Sequence, residues 1–236
     1  MKLILRSDFI DWYDYAFDVA TSSDDVVIFE RFSNSREYTR REALDLLKNK
    51  GYYTPLYGTV NEVAEKMIDQ FFTSFPDLIE FKHKIIHDLM EVVIYHDEYG
   101  HRGEGKEILQ LDVAMKEYPD KFCVKYIPNS PDGLGYSRRV LVVGNNMWLI
   151  DYWSENDWRS NCGDVHWKVL NKNPLRSSGT FKYPMYAIDF VQGYAIDFNT
   201  APGLEPLKEI LPPDDVVKFI KEYYQSTAVH SSINKK

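Results

Sequence analysis

The segment from Tyr183 to Glu205 constrains this chain most, because it puts charged side chains into two apolar strands. It reads YPMYAIDFVQGYAIDFNTAPGLE, with Asp189 in the first strand and Asp197 in the second. A carboxylate among apolar neighbours is costly unless it is paired or bound to a metal. With the amide oxygen of Asn199, the two carboxylates form a set of hard oxygen ligands of the kind that Mg²⁺ prefers. The chemistry of the chain is therefore expected in this hairpin.

The loop of the hairpin decides whether the two acids share a face of the sheet. A two-residue loop would pair Asp189 with Ile196 and point Asp189 and Asp197 to opposite sides. A three-residue loop over 191–193 would shift the register by one and set the acids diagonally on one face, about 7–8 Å apart. Asn199 shares the face of Asp197 by the period of two. The metal site therefore requires an odd loop; the alternative is one solvated acid and one that caps a turn.

The overall composition excludes several classes of protein. A length of 236 residues suits one large domain or two closely packed lobes with a substantial core. The net charge of −8 disfavours a nucleic-acid partner, because the phosphates would be repelled. There are two cysteines, no recognisable signal peptide and no apolar run of membrane-spanning length. These features favour a reducing, cytoplasmic location without a membrane partner.

Hydrophobic periodicity and capping signals predict a mixture of helices and strands. Thr39 and Thr59 each stand three residues before a glutamate, the pattern of a capping box, and each opens a helix. Further helices are expected over 81–90, 107–118 and 213–225. Because hairpins dominate the later part of the chain, the predicted fold class is α+β. Strands are expected at 1–6, 26–31, 91–95, 122–127, 139–143 and 147–153, and in the hairpin over 185–199.

The order of these elements over residues 55–205 resembles the ATP-grasp fold. The specific part is the carboxyl end, where Asp189, Asp197 and Asn199 are followed by Pro202 and Gly203. In the family, a strand acid, a hairpin and an acid-x-Asn before a Pro-Gly turn hold the metal ions. The resemblance implies two α+β lobes with largely antiparallel sheets that hold a nucleotide between them. It also implies an enzyme that uses ATP and Mg²⁺ to activate a carboxylate as an acyl phosphate.

The resemblance suggests catalytic residues upstream of the hairpin. Arg159 and Asn161 look like the family's Arg-x-Asn segment, and in an extended chain they would point the same way. Arg138 and Arg139 precede the strand VLVVG, where the family has an arginine that faces the phosphates. We favour Arg139 because it begins the strand. The alternatives are an Arg-Asn pair that closes a loop and two arginines that are merely solvated.

The nucleotide itself is expected at two further places. Residues 100–106, GHRGEGK, resemble the glycine-rich loop that covers the phosphates, while a plain flexible turn is the alternative. The family's strand lysine is missing, and Lys106 is a candidate to replace it. The strand from Phe122 resembles the hinge strand to which adenine binds through backbone groups. The ATP-binding residues implied in these two segments are Arg102, Gly103, Gly105, Lys106, Lys125, Tyr126 and Ile127.

Three regions and one activity follow from the resemblance. Residues 1–75 form a small N-terminal region on the substrate side, 76–225 the nucleotide-binding and catalytic region, and 226–236 a flexible tail. The expected activity is that of an ADP-forming ligase, which joins a carboxylate to an amine or a similar nucleophile on small molecules, peptides or proteins. Replacing Asp197 with alanine should then abolish turnover and leave the fold intact. A phosphotransferase and a degenerate nucleotide-binding or interaction protein are the alternatives.

Overall fold

The computed structural model describes residues 3–6, 27–30, 38–100, 105–130, 132–200 and 202–233. It confirms the α+β class with mainly antiparallel sheets. The strands are β1 Leu3–Arg6, β2 Val27–Glu30, β3 Tyr57–Thr59, β4 Glu91–Tyr95, β5 Lys106–Gln110, β6 Phe122–Lys125, β7 Tyr136–Val143, β8 Asn146–Ser154, β9 Val165–Val169, β10 Leu175–Arg176, β11 Met185–Val191 and β12 Tyr194–Asn199. The α-helices are α1 Arg40–Asn49, α2 Val60–Ser74, α3 Lys82–Leu89, α4 Leu111–Glu117 and α5 Pro213–Ile233. No described helix has the length and the apolar run that crossing a membrane requires.

A small antiparallel sheet has the strand order β3-β6-β4-β5. Helices α2, α3 and α4 pack on it around a buried apolar cluster that includes Val63, Met67, Ile94 and Leu111. The capping box at Thr59 is present, with its hydroxyl accepting from the backbone N–H of Glu62. Strand β3 and helix α2 thus pack with elements that follow residue 76 in the chain. The predicted boundary between the N-terminal and catalytic regions, at residue 75, stays a prediction.

A larger antiparallel sheet has the strand order β10-β8-β7-β11-β12, with β9 also paired to β8. On one face of this sheet, Leu141 and Val143 of β7 are covered by apolar residues of α5 and of the segment before α5. Helix α1 packs along the edge strand β12. It contributes Ala43, Leu44 and Leu47 to a second cluster, which also includes residues of the small sheet and so connects the two sheets.

Two predicted helices differ from the observed ones. The helix expected over 107–118 is the strand β5 followed by the shorter helix α4, because residues 106–110 pair with β4. The chain between Tyr95 and Lys106 therefore connects two paired strands. Helix α5 continues beyond its predicted end at 225 to Ile233, so its backbone runs through most of the segment predicted as a tail.

Candidate functional site

A β-bulge brings the two hairpin acids onto the same face. The turn has two residues, Gln192 and Gly193, both at positive φ (47° and 85°), and Val191 pairs with Tyr194. The prediction of an odd loop is therefore wrong. The ladder shifts between Phe190 and Asp189, because Ile196 is an extra residue in β12. Asp189 then lies directly opposite Asp197. The bulge, and not the turn, supplies the one-residue shift in register that puts the two acids on one face.

Each acid is paired with an arginine. Two carboxylates directly opposite each other repel, and neighbouring positive charge removes that cost. Arg139 binds Asp189 with both arms, Nε to Oδ1 at 2.7 Å and Nη2 to Oδ2 at 2.9 Å. Arg40, from the first turn of α1, places Nη1 2.6 Å from Oδ2 of Asp197. These four side chains are called the four-charge cluster below, and their formal charges sum to zero.

The cluster is largely shielded from solvent. The exposed fractions of the side chains are 5% for Arg40, 15% for Arg139, 16% for Asp189 and 18% for Asp197. Burial by itself lowers the pKa of each guanidinium, but attraction to the partner carboxylates outweighs burial and raises the pKa of both arginines. Each arginine also responds to the other's acid, so the four groups form one electrostatic unit.

Arg40 also contacts the loop between β4 and β5. Its backbone N–H donates to the carbonyl of Glu98 at 3.1 Å, and its Nη2 donates to the carbonyl of Gly100 at 3.3 Å. Its guanidinium carbon lies 5.7 Å from the ring centroid of Tyr95 at the end of β4. One side chain therefore joins α1, the loop of the small sheet and the acid strand of the large sheet.

The residues around the cluster continue the same face of the large sheet. The guanidinium carbon of Arg139 lies 5.0 Å from the ring centroid of Tyr152 on β8. Burial raises the pKa of the Tyr152 hydroxyl, so this phenol stays protonated at neutral pH. Asn199, two residues after Asp197, pairs with Ala187 and lies on the same face as predicted.

The arginine doublet on β7 is split between the two faces of the sheet. Arg139 belongs to the four-charge cluster, and its role at the phosphates stays a prediction. Arg138 points to the opposite face, where its Nε and Nη2 bind Asp151 at 2.7 and 3.2 Å. The side chain of Arg138 is 49% exposed and that of Asp151 is 15% exposed, so the arginine of this second pair is more accessible to water than Arg139.

Arg159 and Asn161 lie in the loop between β8 and β9, which turns where an extended chain was expected. The Arg159 guanidinium binds Asp157, with Nε at 2.8 Å from Oδ1 and Nη2 at 2.6 Å from Oδ2. Hydrogen bonds from Arg159 lower the pKa of Asp157. Asn161 is exposed. The extended geometry predicted for this pair is wrong, and their catalytic role stays a prediction.

The predicted ATP-binding residues fall into two described groups. Gly105 has a positive φ of 64°, and the Lys106 amine lies 5.1 Å from the ring centroid of Tyr95. Arg102 and Gly103 lie outside the described residues. In the expected hinge strand, the N–H groups of Lys125 and Tyr126 already donate to the carbonyls of Leu56 and Glu91, at 2.8 and 3.0 Å. Adenine recognition through these two N–H groups is therefore not supported, and the role of Ile127 stays a prediction.

The residue that the sequence analysis missed is Arg40. Its signal was present, because Arg40 and Arg41 occupy the first turn of a helix. Positive charge is unfavourable there, since the helix dipole favours acidic side chains at that end. A local rule broken without local compensation often marks a functional position. The capping box at Thr39 is nevertheless intact, so the helix begins where the sequence predicts.

The donor set agrees in type with the expected metal. Two carboxylates and a side-chain amide on one face are the hard oxygen ligands of Mg²⁺. A carboxylate has more lone pairs than one guanidinium uses, so Asp189 and Asp197 can accept further partners. In the described part of the chain, no group of three or more His, Cys, Asp and Glu side chains is placed to hold a metal ion. Asn199 is therefore needed to complete a three-residue set.

No protein-family model matches the chain, and no curated protein matches it. Solved structures do match. The ATP-grasp ligase PsnB, complexed with a minimal precursor, Mg and ADP, is 11% identical with a TM-score of 0.49, over 86% of this chain and 63% of that one. The macrocyclase MdnC of Microcystis aeruginosa, bound with precursor peptide MdnA, is 15% identical with a TM-score of 0.43, over 87% and 65%. N5-carboxyaminoimidazole synthetase from Staphylococcus aureus is 12% identical with a TM-score of 0.45, over 90% and 58%.

The chain resembles ATP-grasp proteins in fold. It spans 64%, 66% and 63% of the length of three PsnB structures that it matches, slightly less than two thirds. At this sequence identity and with TM-scores below 0.5, the likeness identifies neither a substrate nor a mechanism.

Proposed function

We propose that the chain is an ATP- and Mg²⁺-dependent ligase of the ATP-grasp type, which forms ADP. It would activate a carboxylate as an acyl phosphate for attack by an amine or a similar nucleophile. The observation that supports this function is the four-charge cluster, which combines two guanidinium groups and two carboxylates on one sheet face. Guanidinium groups bind phosphoryl oxygens and carboxylates bind Mg²⁺, so the cluster contains both halves of a site for a metal-bound nucleotide.

The acidic and the basic residues of the site have different proposed ligands. Asp189, Asp197 and Asn199 would hold Mg²⁺, and Arg139 would bind an oxygen of the transferred phosphoryl group. When bound, ATP supplies that phosphoryl group and Mg²⁺ neutralises its charge. Arg159 is the proposed second phosphoryl or carboxylate ligand, which requires its guanidinium to leave Asp157.

Shielding from water is the other requirement of such a site. The cluster is already mostly buried, so each charge interaction in it is stronger than at the protein surface. The loop between β4 and β5 contacts the cluster through Arg40. We propose that this loop, with Gly105 and Lys106 at its end, closes over the phosphates and excludes water.

The proposed substrates are a carboxylate and an amine on small molecules, peptides or proteins. PsnB was solved with a minimal precursor and MdnC with a precursor peptide, and peptides are the first substrate class that we propose to screen. The net charge of −8 continues to disfavour a nucleic-acid partner.

Titration calorimetry with ATP and ADP, with and without Mg²⁺, tests the proposal. Wild-type protein should bind both nucleotides, more tightly with Mg²⁺, and Asp197→Asn should lose the Mg²⁺ dependence. Asp151→Asn is the matched control, because Asp151 is also paired with an arginine on the same sheet but lies on the opposite face. Absence of nucleotide binding by folded wild-type protein would overturn the proposed function, and so would an equal effect of the two substitutions.

The paired state of the acids also favours one alternative, a nucleotide-binding protein without turnover. Both carboxylates of the proposed metal site are engaged by arginines. If those pairs persist with nucleotide present, binding would occur without catalysis. ADP release in a screen of carboxylates and amines supports the ligase, whereas a phosphorylated product without a second nucleophile supports the phosphotransferase. Binding with neither product supports the non-catalytic alternative.

A further inference from the structure

We propose that Arg40 is a phosphoryl-binding residue, which exchanges Asp197 for a phosphoryl oxygen when a nucleotide di- or triphosphate binds. This inference rests on the proposed function and adds to it a phosphoryl-binding residue from outside the segment that resembles the ATP-grasp fold. That segment begins at residue 55, and Arg40 stands in the helix before it. The inference depends on burial, on hydrogen bonding and on position.

The first observation is a buried donor with no acceptor. The Arg40 side chain is 5% exposed, yet its Nε lies buried without a hydrogen-bond partner among the described residues. A buried polar group without a partner is costly, so such a donor is suited to bind an acceptor that enters the site. Nη1 of the same guanidinium lies against Asp197 and Nη2 donates to the carbonyl of Gly100, so Nε is the one of its three nitrogens that has no acceptor among the described residues.

The second observation is where this donor lies. Arg40 stands in the first turn of α1, whose dipole adds positive potential. Both Arg40 and Arg139 are electrostatically coupled to Asp189 and Asp197, so the two guanidinium groups flank the same pair of acids. Two arginines beside one pair of acids can together bind an anion with more than one negative charge.

The charge balance selects the class of ligand. At rest, Asp197 contributes one negative charge to Arg40. A simple carboxylate would bring the same charge and gain little by replacing it. A phosphoryl group carries about −1.5 to −2 charges and three acceptor oxygens, and can therefore compete. Asp197, once released, faces Asp189 across the strand pair, and this renewed repulsion favours a cation between them.

The test compares two neighbouring arginines. Arg40→Lys keeps the positive charge but removes Nε and the planar geometry, while Arg41→Lys makes the same change one residue later. Arg41 is a suitable control because its guanidinium lies 4.9 Å from the ring centroid of Phe122, away from the acids. Affinities for ATP and for tripolyphosphate, both with Mg²⁺, should fall about 10-fold or more in Arg40→Lys. They should stay within about twofold of wild type in Arg41→Lys.

A wild-type measurement covers the case in which Arg40→Lys does not fold. In protein with ¹⁵N-labelled arginine, adding ATP with Mg²⁺ should shift the Arg40 Nε–H signal and slow its exchange with water. The signal of Arg138, on the opposite face, should not move. Wild-type binding with an unmoved Arg40 signal, or equal affinities in Arg40→Lys and Arg41→Lys, would overturn this inference and leave the proposed function standing. Failure of the wild-type protein to bind ATP would overturn both.

Discussion

At the scale of single residues, the site consists of charged side chains, each of which would be unfavourable at its position without the others. Asp189 and Asp197 repel across the strands, and Arg40 and Arg139 are buried cations. Joined, they neutralise one another. The sequence predicts that Asp197→Ala leaves the fold intact, but this change would leave Arg40 buried without its carboxylate partner. Loss of activity in that variant therefore has to be separated from loss of stability.

Asp189→Asn should destabilise the protein by about 3–5 kcal/mol, because it leaves the buried guanidinium of Arg139 without a counter-ion. Asp151→Asn breaks the pair with Arg138, whose side chain is 49% exposed, and should cost less, about 1 kcal/mol. Urea unfolding of the two variants and the wild type gives both values. Equal costs would show that burial does not strengthen the Arg139 pair.

At the scale of elements, the hairpin shows how a local irregularity sets function. Next to the two-residue turn, β11 and β12 pair in the regular register, with Val191 opposite Tyr194. The bulge at Ile196 then shifts the register by one residue before Asp197. If Ile196 paired with Asp189 and there were no bulge, the same turn would direct the two acids to opposite faces. The sequence of the turn alone could not reveal this, because the bulge depends on how β12 pairs with a strand that also pairs with β7.

The contact between α3 and α4 should make stability depend on pH. A hydrogen bond from His87 to Asp112, at 2.9 Å, raises the pKa of His87 above its ordinary 6.5. The stabilisation is therefore fully present below pH 6.5 and is lost as the pH rises through the raised pKa. In an NMR titration, Asp112→Asn should lower the pKa of His87. An unchanged titration would show that the pair does not persist in solution.

At the scale of the whole molecule, the site lies where separate parts of the chain meet. Arg40 belongs to α1, the loop carbonyls belong to the small sheet, and the acids belong to the large sheet. The acids could be found from the sequence, because a charged residue in an apolar strand is a local anomaly. The partner of Arg40 could not, because no local pattern connects a helix near residue 40 with a strand near residue 197.

A ligand that binds at such a junction should stabilise the protein as a whole. ATP with Mg²⁺ at a hundred times its dissociation constant should add about 2.7 kcal/mol to the free energy of unfolding. For a chain of this size, this raises the melting temperature by roughly 5–10 °C. Differential scanning calorimetry with and without the ligand measures the shift, with AMP as the comparison ligand. An equal shift with AMP would mean that the additional phosphates contribute nothing.

The position of α1 has a further consequence for β12. This strand ends the large sheet, so one of its two sides has no neighbouring strand among the residues that the structure describes. Helix α1 and the segment after it cover that side, and the N–H of Ala195 donates to the carbonyl of Tyr53 at 2.8 Å. An uncovered edge strand recruits strands from other molecules. The helix that carries Arg40 thus also covers this edge, and a fragment beginning after residue 55 should aggregate through β12.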